Sequence, residues 1–256
     1  MFIQQSLSLL LACALALGAG ASFAVGEDAF REARDFDAKA TGFDLPERER
    51  KDFALKAIER YSDVISRTKD VNQKAEAFYR RGDLRLMLDE TKSAIIDFSA
   101  SLALVPQQPV VLHRRSMAAQ GERDMKMALN DLSEAIRMDS NLSHVYLDRG
   151  IILFELGRLR EARSDLTRHL TLDPDSSLGY SLRGSIIFME KDYEAAISDF
   201  LHAVDIHEEQ FPRLANNKDR YNPSQTDLYM KIGESYARAG NTRKPDRHDR
   251  HDRHGR

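Results

Sequence analysis

The chain has almost no cysteine chemistry to offer. Its one cysteine, Cys13, lies inside an apolar stretch near the N-terminus. Everything after that stretch is therefore without a disulfide, a cysteine-based metal site or a cysteine nucleophile. A dominant charge sign is also missing, since 38 Lys and Arg stand against 41 Asp and Glu for a formal net charge of −3. That balance gives no global case for nucleic-acid binding. Enzyme signatures are lacking as well. There is no glycine-rich phosphate loop, no His-Glu-x-x-His, no Gly-x-Ser-x-Gly and no basic-aromatic nucleic-acid motif. The sequence thus points away from an enzyme, and no cofactor is expected.

What is present begins with Leu7 to Ala24, a run of small and apolar residues that ends in Ala19-Gly20-Ala21 and Ser22-Phe23-Ala24. It reads as a cleavable secretory signal over residues 1–24, too short and glycine-rich for a good membrane span. Met1 to Gln5 carries no Lys or Arg, against the usual pattern. An uncleaved anchor and lipid attachment at Cys13 stay open as alternatives. The expected location is periplasmic or secreted.

The body of the chain is a repeat. Gly82, Ser116, Gly150 and Gly184 are spaced by 34 residues, and so are Ala94, Ala128, Ala162 and Ala196. The large apolar residues Phe98, Leu132, Leu166 and Phe200 keep the same interval, as do Pro106, Ser140, Pro174 and Glu208. Glycine inside a helix costs about 1 kcal/mol against alanine and needs a packing reason. The expectation is that each glycine lets the first helix of a pair approach the alanine on the second. The large apolar column then fills the seam, and Pro106 and Pro174 end the second helix.

Two further columns are charged. Arg81, Arg115, Arg149 and Arg183 precede the small residue, and Asp97, Asp131, Asp165 and Asp199 follow sixteen residues later. A fixed offset between opposite charges predicts one ion pair across each helix pair, structural in role. Four identical pairs make no sense as catalytic groups.

These columns resemble the tetratricopeptide repeat family, whose unit is two antiparallel helices. The resemblance covers Ala75 to about Gln210, with Phe78, Tyr146 and Tyr180 at the first aromatic position and Leu112 replacing it in the second repeat. It implies an all-α, right-handed solenoid of antiparallel helix pairs. The repeats are 75–108, 109–142, 143–176 and 177–210, after N-terminal capping helices within 25–74. No repeat can bury its apolar face alone, so neighbours must stack.

The resemblance also implies a concave groove lined by the first helices, holding a peptide or helix of another protein. By position its lining is Tyr79, Asp83, Leu86 and Met87, then His113, Met117 and Gln120. The third repeat adds Leu147, Ile151, Phe154 and Glu155, and the fourth Ser181, Ser185, Phe188 and Met189. The Lys/Asn pattern with which chaperone-binding members clamp a terminal carboxylate is absent. Mixed aromatic, Met and aliphatic residues suit an apolar partner segment. Packing between repeats is the competing role for Phe154 and Phe188.

Outside the repeats, Glu47 to Ser66 has helical spacing and reads as a capping helix with Glu27 to Lys39 as its partner. After Glu208 the register slips, and residues 211–225 read as a loop. Tyr229, Ile232, Gly233 and Tyr236 within 226–241 read as a C-terminal capping helix. The tail 242–256 is rich in Arg, His and Asp and reads as disordered. Residues 243–256 carry six Arg/Lys against three Asp, a net +3 on an otherwise acidic chain. Its His248, His251 and His254 offer a weak metal site, and its charge an anionic surface, as the alternative function. Contact with a membrane is expected only through this tail or an uncleaved N-terminus.

Overall fold

A computed structural model describes residues 28–210 and 223–240, and all the regular structure in them is helical. The chain divides after Asp139 into two compact units. The first holds α1 (residues 28–41), α2 (Glu47–Arg67), α3 (Val71–Met87), α4 (Thr91–Leu104), α5 (Pro109–Gly121) and α6 (Met125–Met138). The second holds α7 (Ser143–Glu155), α8 (Leu159–Leu172), α9 (Ser177–Met189), α10 (Tyr193–Gln210) and α11 (Pro223–Arg238). Each unit is a stack of helix pairs, all-α as expected. No described helix is long and apolar enough to cross a membrane. The apolar stretch 1–24 lies outside the described residues.

Local chemistry sets the helix ends. Asp70 accepts hydrogen bonds from the backbone N–H groups of Asn72 and Gln73, so α3 starts four residues before the repeat's first counted position. Asp124 accepts from Met127 N–H and Ser176 from Gly179 N–H in the same way. The helices α4 and α8 stop two residues before Pro106 and Pro174. Glu208 stands where those prolines would be, and α10 runs on to Gln210. Pro223 opens α11, so this helix starts earlier than the expected loop boundary at Gln225. Proline fits the first helical turn, where its missing N–H costs nothing.

The three-residue turns inside the pairs form a column that the sequence reading had not singled out. Asp89, Arg123, Gly157 and Lys191, again 34 apart, have φ of 63°, 60°, 72° and 69°. The next backbone N–H closes each turn by donating to a carbonyl five residues back, as from Glu90 to Arg85 at 2.8 Å. This left-handed helix end favours glycine, and only Gly157 supplies it. Arg123→Gly is therefore expected to stabilise the first unit by about 0.5–1 kcal/mol, readable as a higher urea midpoint.

The glycine column works, but against a different neighbour than expected. A Cβ on Gly82 would lie 2.8 Å from Phe98 Cε1, and one on Gly184 2.9 Å from Phe200 Cε1. On Gly150 it would lie 3.2 Å from Leu166 Cγ, with Ala162 reached only through its carbonyl oxygen at 3.6 Å. The large apolar residue, rather than the alanine, occupies the space that glycine leaves. Where that residue is leucine the fit is tight but less so, and in the second repeat Ser116 replaces glycine opposite Leu132. The Ser116 hydroxyl turns back to donate to His113 C=O at 2.7 Å.

At the ends, α1 and α2 bury Ala33, Ala40, Ala54, Ala57, Tyr61 and Val64 together with Ala77 and Leu84 of α3. Tyr61 donates to Asp37 at 3.0 Å across this core. In α11, Leu228 and Ile232 pack on Ile187, Phe200 and Val204. Gly233, aligned in sequence with the packed glycines, instead faces open space. A small residue is needed only where a second helix crosses, and no described helix follows α11.

Candidate functional site

Each repeat arginine meets the aspartate sixteen residues later through two parallel hydrogen bonds. Arg81 donates through Nε and Nη2 to Asp97 at 2.9 and 2.6 Å, and Arg115 to Asp131 at 2.8 and 2.7 Å. In the second unit Arg149 reaches Asp165 at 2.7 and 2.8 Å, and Arg183 reaches Asp199 at 2.8 and 2.8 Å. All four aspartates are buried. The hydrogen bonds that Arg149 and Arg183 donate to Asp165 and Asp199 raise the pKa of these arginines above the ordinary arginine value. The guanidinium groups of Arg81, Arg149 and Arg183 also lie over the rings of Phe78, Tyr146 and Tyr180.

Two serines extend the clamps in the first unit. Arg81 Nη1 donates to Ser62 of α2 at 2.8 Å, and Arg115 Nη1 to Ser99 of α4 at 3.0 Å. One arginine therefore ties three helices. The signal was available in the sixteen-residue step from Ser99 to Arg115, but a three-residue insertion hides its counterpart at Ser62. These groups are spent on the fold and offer nothing to a ligand.

The first-helix face of the first unit sorts its residues by role. Tyr79 and Leu86 pack against the cluster of Ala94, Phe98, Val111 and Ala118. His113 is half-buried, and Gln120 donates weakly to Ser116 C=O at 3.4 Å. Asp83 is paired with Arg114 of α5 at 3.1 Å, a partner the sequence reading did not name. What this face leaves to solvent is chiefly Met87, 42% exposed, and Met117, 38% exposed.

Burial raises the Asp83 carboxyl above the ordinary aspartate range, against the lowering pull of Arg114 and Arg80. Burial likewise raises Asp37, opposed by the Tyr61 hydrogen bond and by Arg80. A raised carboxyl binds its proton more tightly folded than unfolded. Its contribution to stability is thus present in acid and is lost as pH rises through the folded pKa. Asp83→Asn, which keeps the shape without the charge, should gain stability over the parent at neutral pH. The gain should vanish below the ordinary aspartate pKa, and urea midpoints at two pH values would show it.

In the second unit, Leu147, Ile151 and Phe154 are half-buried on α7 and Glu155 is exposed. On α9, Ser185 donates back to Ser181 C=O at 2.8 Å. Phe188 packs on the core built by Ile187, Phe200 and Leu228 and meets Tyr193 edge-on at 5.3 Å. Met189 stands free at 55% exposed. Beside it lies a partly open cavity of about 150 Å³, lined by Ser185, Phe188, Met189, Phe200, Lys231 and Glu234. Three of those six were expected lining. Phe200 of α10 was aligned as seam filling and not as lining, and the register slip before α11 kept Lys231 and Glu234 out of the alignment.

Among the described residues no group of His, Cys, Asp and Glu is arranged to hold a metal. His248, His251 and His254 lie outside them. His169 is buried, its Nδ1 2.7 Å from Ser143 Oγ, and it belongs to the junction of α7, α8 and α9.

Comparison with known proteins places this arrangement. Residues 147–210 match the tetratricopeptide repeat model. Human Tetratricopeptide repeat protein 13 is 34% identical over 122 residues, covering 46% of this chain and 14% of that protein. The chain thus spans a small part of this curated relative. MamA of Desulfovibrio magneticus RS-1 has a similar solved structure, with a TM-score of 0.60 at 17% identity over 72% of this chain and 97% of that one. YrrB, described as a protein of this repeat type with an unusual peptide-binding site, has a TM-score of 0.55 at 20% identity. That similarity covers 65% of this chain and 84% of YrrB.

Proposed function

We propose, from the premise that this chain is built of tetratricopeptide repeats, that it is a non-catalytic scaffold. Its first-helix faces hold an apolar peptide or helix of a partner protein. The observation that carries the reading is the exposure of Met87, Met117 and Met189 on those faces. Tyr79, Leu86, Asp83, Gln120 and Phe188 are taken up by packing, helix bonds or ion pairs. These methionines instead keep much of their surface in solvent, Met117 with Arg114 Nη1 3.8 Å from its sulfur. Methionine adapts its three rotatable bonds to varied apolar partners, which suits a surface that must accept side chains of uneven shape. The peptide-binding site described for YrrB is in keeping with this use of the fold.

The small-residue endings after the apolar run Leu7 to Ala24 support export, and with it a role in an envelope or secretion-related complex.

The test is crosslinked affinity capture from envelope extract with the full chain, beside a Met87→Asp, Met117→Asp, Met189→Asp variant. These side chains are exposed enough to change without unfolding, and circular dichroism checks it. One protein captured by the parent and lost by the variant supports the reading. An identical catch from both would move binding off these faces.

A further inference from the structure

The cavity between α9, α10 and α11 has the size and lining of a socket for one side chain. Its volume of about 150 Å³ is that of a dry engineered cavity able to take a benzene-sized group. Phe188, Phe200 and Met189 make the walls apolar, and Met189 leaves the mouth open.

The rim narrows the choice of occupant. Lys231 reaches across the Phe200 ring, 6.0 Å from its centroid, to within 3.4 Å of Ser185 Oγ. Its other bond is to Asp227 at 2.9 Å, and Glu234, one turn on, pairs with Arg238 at 3.4 Å. Both pairs are exposed and one helical turn apart, so they exchange partners at little cost. Because Phe188, Phe200 and Met189 would strip water from a charged group without offering it a partner, the socket selects against a charged anchor. An ammonium donor and a carboxylate acceptor on one rim complement the C=O and N–H of a peptide backbone.

We infer that this socket binds one large uncharged side chain, of phenylalanine, leucine or methionine, from a partner peptide whose backbone lies against Lys231 and Glu234. The inference rests on the peptide-binding reading above and adds the anchor's chemistry. It also gives the C-terminal capping helix a share of the site, beside its role of covering the last repeat.

The experiment is selection of short random peptides on phage against the full chain, followed by fluorescence polarisation with the enriched peptides labelled and synthesised. The expected result is a shared Phe, Leu or Met position. Affinity should fall about tenfold to a hundredfold with Ser185→Leu, which fills the cavity, as expected for losing one buried apolar side chain. Met189→Asp, at an exposed position, should weaken binding likewise and serves if Ser185→Leu disturbs folding. Peptides indifferent to both variants but lost on Met87→Asp, Met117→Asp would overturn the socket and leave the wider reading standing. If the parent enriches no peptide, both fail.

Discussion

Asp97→Ala should cost the first unit about 3–5 kcal/mol, the loss expected when one partner of a buried charge cluster is removed. Asp97 is fully buried and accepts from Arg81 twice and from Arg85 Nη1 at 2.7 Å. Without it, two guanidinium groups remain with side-chain exposures of only 14% and 22% and no carboxylate between them. Removing this carboxylate thus leaves Arg81 without its carboxylate partner and Arg85 with only the longer contact to Glu90 at 3.9 Å. Asp165, for which one arginine pair is seen, should cost less on the same substitution. The triple change Arg81→Met, Arg85→Met, Asp97→Leu should recover much of the loss, since apolar side chains of similar size need no partner. Urea unfolding with hydrogen exchange followed in α3 and α4 localises the effect. A loss under about 1 kcal/mol would mean the pair behaves as an exposed one.

Phe98→Ala is the second large effect, at about 3–5 kcal/mol for a fully buried aromatic that cannot be refilled by its neighbours. The companion change tests the cause. Gly82→Ala places a methyl 2.8 Å from the Phe98 ring. It should cost about 1–3 kcal/mol of overpacking, less the roughly 1 kcal/mol that alanine gains in a helix. Phe98→Leu should relieve that clash, because Leu166 opposite Gly150 leaves its nearest atom at 3.2 Å. Gly82→Ala should then be far cheaper in the Phe98→Leu background than alone. Simple additivity of the two costs in a double-mutant cycle would rule out the ring as the reason for the glycine.

The arginine and aspartate columns were legible because period and offset are one-dimensional. When two helices of fixed rise fold back on a three-residue turn, a spacing of sixteen sets the two side chains opposite one another. The terminal helices were legible from apolar spacing for the same reason. The socket was not. Its walls come from α9, α10 and α11, and the slip in spacing before α11 removed the register that identified the glycine, apolar and charged columns. Arg114 escaped notice because its partner Asp83 is on the preceding first helix, and no repeated column marks the pair.

By itself, the sequence determined the helical class, the 34-residue step of the columns and the sixteen-residue offset of the charged pairs, because a periodic chain repeats its local geometry with its residues. Tertiary structure alone decided that Phe98, and not Ala94, fills the space beside Gly82, and that non-glycine residues occupy three of the four left-handed turns. It also decided that Met87, Met117 and Met189 stay exposed while Tyr79 and Phe188 pack, half-buried, against the core. The physical reason is packing: which apolar residue is buried depends on the shape of what crosses it, and position within a repeat does not encode that shape.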